Sequence, residues 1–190
     1  MWLKVILCFF FAISTVNKVY ANFEEYSIFE DDDIYGKPVT VTNITGNTET
    51  MIFPGTKWCG PGDIAKNYND LGTYRETDKC CREHDNCGDL ILPRKSKHGL
   101  ENPDSFTRLC CDCEQKFINC LKKANDMISW TIGKLYFNAR NTCYRQDHPV
   151  IECTEFQRGF VTRRKRCIKY KMQKDKPKKW QWFDIPFFTE

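Results

Sequence analysis

The run Cys80-Cys81-Arg82-Glu83-His84-Asp85-Asn86-Cys87 concentrates groups that can move a proton or hold a cation. At helical spacing, positions 80, 84 and 87 share one face, and Cys81 and Asp85 share the neighbouring stripe. Cysteines bridged to other elements would turn that side inward. His84 is then pinned by covalent links on both flanks, with Asp85 beside it. An imidazole titrates near neutral pH and can serve as a general base, and a carboxylate can ligate a hard metal ion. Taken alone, a histidine of this kind is more often a packed core residue, so the surrounding pattern has to decide.

Two further segments bear on it. Trp58-Cys59-Gly60-Pro61-Gly62 is a loop whose backbone can approach a ligand closely. Calcium accepts carbonyl and carboxylate oxygens. Carbonyls of this loop and the Asp85 carboxylate would make such a site if Cys59 is bridged near the 80–87 helix. In Cys110-Cys111-Asp112-Cys113-Glu114, a helical reading puts Glu114 on the stripe of Cys110, Phe117, Ile118 and Leu121. Asp112 falls with Gln115, Lys116 and Asn119. Glu114 therefore points inward and Asp112 outward. A buried carboxylate needs a partner, and the histidine of a facing helix would supply one, as in hydrolase triads.

The elements that must position these groups are legible in outline. One helix is expected over about 76–90, with Thr77 or Asp78 as a possible cap, and a second over about 105–124. A third, weaker pattern covers 126–138. Glycine and proline cluster at 54–62, as a loop requires. After Cys143 the pattern becomes short extended pieces separated by turn residues.

The 190 residues include 12 cysteines, and the net charge is +4. No apolar run after the first 20 residues approaches the roughly 20 needed to span a bilayer, which excludes a multi-span membrane protein. Residues 1–21 read as a secretory signal: Lys4, then an apolar core from Val5 to Ile13, then Val19-Tyr20-Ala21. Secretion favours disulfides over a zinc site. With Cys8 removed, eleven cysteines remain, so one is free or joins two chains.

Residues 22–50 carry seven acids against one base and no cysteine, and read as an acidic extension or propeptide. Asn43-Ile44-Thr45 within them is a glycosylation sequon. Residues 51–190, the main domain, hold 26 bases against 18 acids and end in a basic, aromatic tail. Bases beside Trp180, Trp182, Phe183, Phe187 and Phe188 suit a peripheral contact with an anionic lipid surface. A solvated tail without a partner is the plainer alternative. Nucleic acid is not expected as a partner of a secreted chain.

Together these pieces resemble the group III, bee-venom-type, secreted phospholipase A2 family. The likeness rests on the 52–62 segment, on Thr77-Asp78-Lys79-Cys80-Cys81-Arg82-Glu83-His84-Asp85, on Cys111-Asp112-Cys113 and on Gly133-Lys134-Leu135-Tyr136-Phe137-Asn138. It covers essentially all of 51–185.

The resemblance implies a mainly α, disulfide-rich fold with a small β-hairpin region, two long antiparallel helices and an N-terminal calcium-binding loop. It implies calcium-dependent hydrolysis of the sn-2 ester of glycerophospholipids at a membrane surface; the sequence is silent on oligomeric state, and a monomer is the expectation. The carbonyls of Trp58, Gly60 and Gly62 and the Asp85 carboxylate would bind Ca2+. His84 would be the general base, with Glu114 and Tyr136 supporting it.

The bridges implied are Cys59–Cys81, Cys80–Cys120, Cys87–Cys113, Cys111–Cys143 and Cys153–Cys167, leaving Cys110. One departure is Glu114, where the family has an aspartate one methylene shorter. It leaves open a second reading, a catalytically weak phospholipase-like toxin or binding protein aimed at a membrane or receptor.

Overall fold

The computed structural model describes residues 40–42, 48–159 and 164–189. The signal reading at 1–21, the glycosylation sequon and most of the acidic extension lie outside those residues. What the structure describes of the extension is a pair of short strands, β1 (Thr40–Thr42) and β2 (Thr48–Thr50), antiparallel to each other.

Three helices carry the domain. Helix α1 is Arg75–Asp85, α2 is Cys111–Ala124 and α3 is Met127–Ala139. In α1, Thr77, Asp78, Cys80, Cys81 and His84 are buried. That is the i, i+3, i+4, i+7 stripe of an amphipathic helix. In α2 the buried set is Cys111, Cys113, Glu114, Phe117, Ile118 and Leu121. The two stripes face each other. The Cys80–Cys120 and Cys87–Cys113 bridges clamp both ends of the pair, and His84 stacks on Phe117 between them. As numbering rises along α1, its partners fall along α2, so the two helices run in opposite senses.

Both of these helices are shorter than their sequence pattern suggests, for tertiary reasons. Helix α1 stops at Asp85 because Cys87 is drawn to Cys113 and the chain then enters β3 (Leu90–Ile91). Helix α2 begins only at Cys111 because Arg108–Leu109 is strand β6, paired with β3. Between them, the buried Asn102 side chain donates to the carbonyls of Ile91, Leu92 and Phe106. These bonds hold 102–106 as an ordered loop. A small hairpin, β4 (Ser96–Lys97) with β5 (Leu100–Glu101), projects from this region. Helix α3 matches its pattern closely. Asp126 and Ser129 form a reciprocal capping box that fixes its start.

Four longer strands follow: β7 (Thr142–Asp147), β8 (Val150–Arg158), β9 (Lys165–Met172) and β10 (Lys179–Asp184). They form antiparallel pairs β7–β10 and β8–β9. The expected mainly α balance is therefore not what is found. The described residues form three helices and several small two-stranded antiparallel sheets, with slightly more residue positions in strand than in helix. All five implied bridges are present, and Cys110 is free.

The C-terminal tail corrects another expectation. Phe183, Ile185, Phe187 and Phe188 are buried, and Phe183, Ile185 and Phe188 belong to the main core with Phe117, Leu121 and Phe137. Trp180 and Trp182 are half-buried against His98 and Tyr144. Arg166, from the basic run, is also internal and donates to the Ile185 carbonyl at 3.0 Å. Most of these aromatics close the core; they do not form an exposed lipid-facing cluster. Their burial removes large apolar area from water, which outweighs what a surface position could gain.

Candidate active site

Three polar side chains meet where α1, α2 and α3 converge. The His84 Nε2 atom lies 3.4 Å from Glu114 Oε2 and 3.3 Å from the Tyr136 hydroxyl oxygen. The Tyr136 hydroxyl donates to Glu114 Oε1 at 2.9 Å. His84 is 9% exposed and Glu114 3%. Burial, and next the Glu114 carboxylate, hold the Tyr136 hydroxyl well above the ordinary phenol range, so it keeps its proton and remains a donor. A proton on His84 Nε2 would point toward both oxygens, although Glu114 Oε2 has no hydrogen-bond partner. Its Nδ1 is then the basic nitrogen.

Residues that the sequence pattern did not single out complete the arrangement. Phe117 stacks on the imidazole at 4.1 Å between ring centroids, with 22° between the planes. The Arg140 guanidinium lies 3.6 Å from the Phe106 ring centroid and 5.7 Å from that of Tyr136. Burial lowers the Arg140 pKa, while Tyr136 and Glu114 act in the opposite direction. Phe117 is visible in the sequence as an apolar position of α2. Nothing in the sequence points to Arg140, since it follows the last turn of α3.

The loop at 58–62 is fastened to α1 twice. The Cys59–Cys81 bridge is one link. The other is Asp78, which is fully buried and accepts from the backbone amides of Lys57, Trp58 and Gly72 at 2.7–3.0 Å. Asp78 therefore corrects the capping expectation. Helix α1 starts after Tyr74 with no side-chain cap, and the Asp78 carboxylate is committed to the loop. Thr77 likewise turns away, donating to the Asp126 carboxylate at 2.6 Å.

Within the loop, the Lys57 and Cys59 carbonyls accept from the amides of Ile64 and Phe53. Among the described residues, no hydrogen bond reaches the carbonyls of Trp58, Gly60 or Gly62. Gly60 could not be replaced without movement, because a Cβ there would sit 2.4 Å from the Met51 carbonyl oxygen. Gly62 has φ +76°, which favours glycine. Asp85 is exposed as a residue, yet its carboxyl is crowded. Desolvation, then the Asp63 and Asp78 carboxylates, push it up to about 8. Carbonyl oxygens that accept no hydrogen bond and a carboxyl crowded by other acids are hard oxygen donors, the kind a hard divalent cation takes. The donor chemistry fits calcium.

Comparison with known proteins gives the family. A family model described as phospholipase A2 matches residues 52–147. The chain belongs to the phospholipase A2 family. Among its relatives, a phospholipase A2 of Apis cerana cerana is 47% identical over 137 residues, covering 71% of this chain and 98% of the relative. One from Xylocopa aruana is 48% identical over 138 residues, covering 72% and 73%. More distantly, the acidic phospholipase A2 PA4 of Heloderma suspectum is 38% identical over 109 residues, covering 57% and 70%. The match makes this chain a phospholipase A2 family member of the group III type, and the 52–147 segment it covers contains His84, Glu114, Tyr136 and the 58–62 loop.

Proposed function

We propose that this family member is a secreted, calcium-dependent phospholipase A2. It hydrolyses the sn-2 ester of glycerophospholipids to lysophospholipid and fatty acid. The observation that carries the reading is the buried His84–Glu114–Tyr136 cluster, in a chain nearly half identical to named phospholipases.

His84 Nδ1 takes the proton of an attacking water. The positive charge that develops on the imidazole is stabilised by Glu114, which also fixes the Nε2–H tautomer. Tyr136 holds Glu114 in place, and Phe117 fixes the plane of the ring. Trp58, Gly60 and Gly62 through their carbonyls, with the Asp85 carboxylate, would hold Ca2+. When bound, calcium polarises the ester carbonyl and offsets negative charge developing on its oxygen.

The site works at a phospholipid surface, as a monomer, outside the cell. The export reading rests on the apolar leader at 1–21 and on five disulfides. We further propose that residues 22–50 form an acidic extension and that 51–190 are the catalytic domain.

The test is fatty-acid release from phosphatidylcholine vesicles by wild type and His84→Gln, with and without a calcium chelator. Loss of the base should cost at least about 100-fold. Chelation should abolish release, and calcium should raise the melting temperature of wild type more than that of Asp85→Asn. Undiminished release by His84→Gln would overturn the assignment.

A further inference from the structure

Cys110 lies at the N-cap of α2, outside the catalytic cluster, and takes part in none of the five bridges. Its Sγ is 2.9 Å from Sγ of Cys113, which is itself bonded to Cys87. The three sulfurs of Cys87, Cys110 and Cys113 all lie within 4.8 Å of one another. Two are already joined covalently, so the cluster is not a thiolate metal site. It is a nucleophile in contact with a disulfide. Cys110-Cys111-Asp112-Cys113 is also a Cys-x-x-Cys segment opening a helix. The Cys113 amide points back at Cys110 Sγ, at 3.4 Å. Redox-active dithiols commonly use this spacing and position.

We propose that these three cysteines form a thiol–disulfide exchange site, in which Cys110 and Cys87 compete for the sulfur of Cys113. The Cys110 thiolate attacks Cys113 Sγ. A Cys110–Cys113 bond forms as the Cys87–Cys113 bond breaks. The Cys87 sulfur leaves with the bonding pair and takes up the proton that Cys110 gave up. One disulfide and one thiol remain, so the step needs no outside oxidant or reductant.

The exchange matters because of where the bridge sits. Cys87 follows His84 by three residues, and Cys113 directly precedes Glu114. With Cys87–Cys113 intact, the end of α1 is tied to the start of α2 beside the imidazole–carboxylate contact. With Cys110–Cys113 formed, that tie becomes a staple within the first turn of α2. The tie at the other end of the pair, Cys80–Cys120, is unaffected.

The surroundings keep the exchange slow near neutral pH. Burial raises the thiol pKa of Cys110. The amides of Cys113 and Asp112 act against this, while the carboxylates of Asp89 and Asp112 add to it. The Cys110 amide is bonded to the Asp89 carbonyl, and the Cys110 backbone pairs with that of Tyr144 in β7 as an isolated parallel β-pairing. The thiolate is the attacking species, so the rate should climb as pH rises toward the Cys110 pKa.

The test uses the exported chain, without the leader at 1–21 that carries Cys8. It is incubated at neutral and at mildly alkaline pH, then quenched and denatured in acid to freeze exchange. Free thiols are labelled with a maleimide in acid and the peptides mapped. Label is expected on both Cys110 and Cys87, with a Cys110–Cys113 linked peptide, and the division should be reached sooner at the higher pH. The Cys110→Ser protein should carry no label. It should also keep its vesicle hydrolysis through an alkaline incubation that lowers wild type. Label confined to Cys110 after alkaline incubation would overturn the proposal. So would a protein with no free thiol and a disulfide-linked dimer mass. The mapping reads sulfur chemistry directly, so it stands whatever the hydrolysis assay gives.

Discussion

Glu114 carries one more methylene than the aspartate expected beside an imidazole in this family, and the extra reach is used. One oxygen faces His84 Nε2 and the other accepts from Tyr136. A shorter side chain from the same backbone position could not keep both contacts without movement. Glu114→Asp is therefore expected to lower turnover on vesicles, by as much as about 100-fold, because general-base geometry tolerates little displacement. A gain in turnover would instead favour the weak-enzyme or binding-protein reading. Tyr136→Phe should act mainly through stability. It leaves Glu114 Oε1 buried without its donor, a loss of about 1–3 kcal/mol readable by denaturant unfolding. The alternation of inward and outward residues along α2 suffices to put Glu114 on the buried face from sequence. Asp78 is not placeable in that way. An acid in the first turn of a helix reads as a cap, and only the fold reveals that it gathers amides from residues some twenty positions upstream.

Among the elements, helix α3 combines an inner and an outer role. Its inner face supplies Tyr136 and Phe137. Met127 and Trp130 are 74% and 49% exposed on the other side, and Lys134 lies 5.1 Å from the Trp130 ring centroid. Positions 127, 130 and 134 share one face of the helix. An exposed tryptophan and methionine on such a face suit the headgroup layer of a bilayer. Trp130→Ala should weaken sedimentation with anionic vesicles several-fold while leaving hydrolysis of a monomeric, short-chain lipid unchanged. An equal loss on both substrates would place the defect in the catalytic cluster.

Element types are largely readable from period and turn residues, and the bridges from the family resemblance. Helix ends are less so. The strand pair β3–β6 and the side chain of Asn102 claim residues that local propensity assigns to helix. The tail misleads for a related reason. Aromatics next to lysines look alike whether they face lipid or core, until β10 pairs with β7 and sets their direction.

For the molecule as a whole, the chain past β10 acts as a closing strip. Phe188 stacks parallel to Phe137 at 6.0 Å, and the Lys134 ammonium donates to the Phe188 carbonyl. Gly133 makes the fit possible, since a Cβ there would sit 2.7 Å from the Phe188 ring. Gly133→Ala should cost about 1–3 kcal/mol in unfolding experiments through overpacking. Removing residues 185–190 should cost more, because Ile185, Phe187 and Phe188 each lose a buried position worth about 1.5–3 kcal/mol.

The lacing of α1 to α2 has a bearing on survival among proteases. Arg94, Lys95 and Lys97 are exposed, between the segment that carries His84 and the one that carries Glu114 and Tyr136. A trypsin cut there severs the backbone, yet Cys80–Cys120 and Cys87–Cys113 both cross the gap. The nicked protein should migrate as one piece until a reductant is added, then as two, and the unreduced form should still release fatty acid.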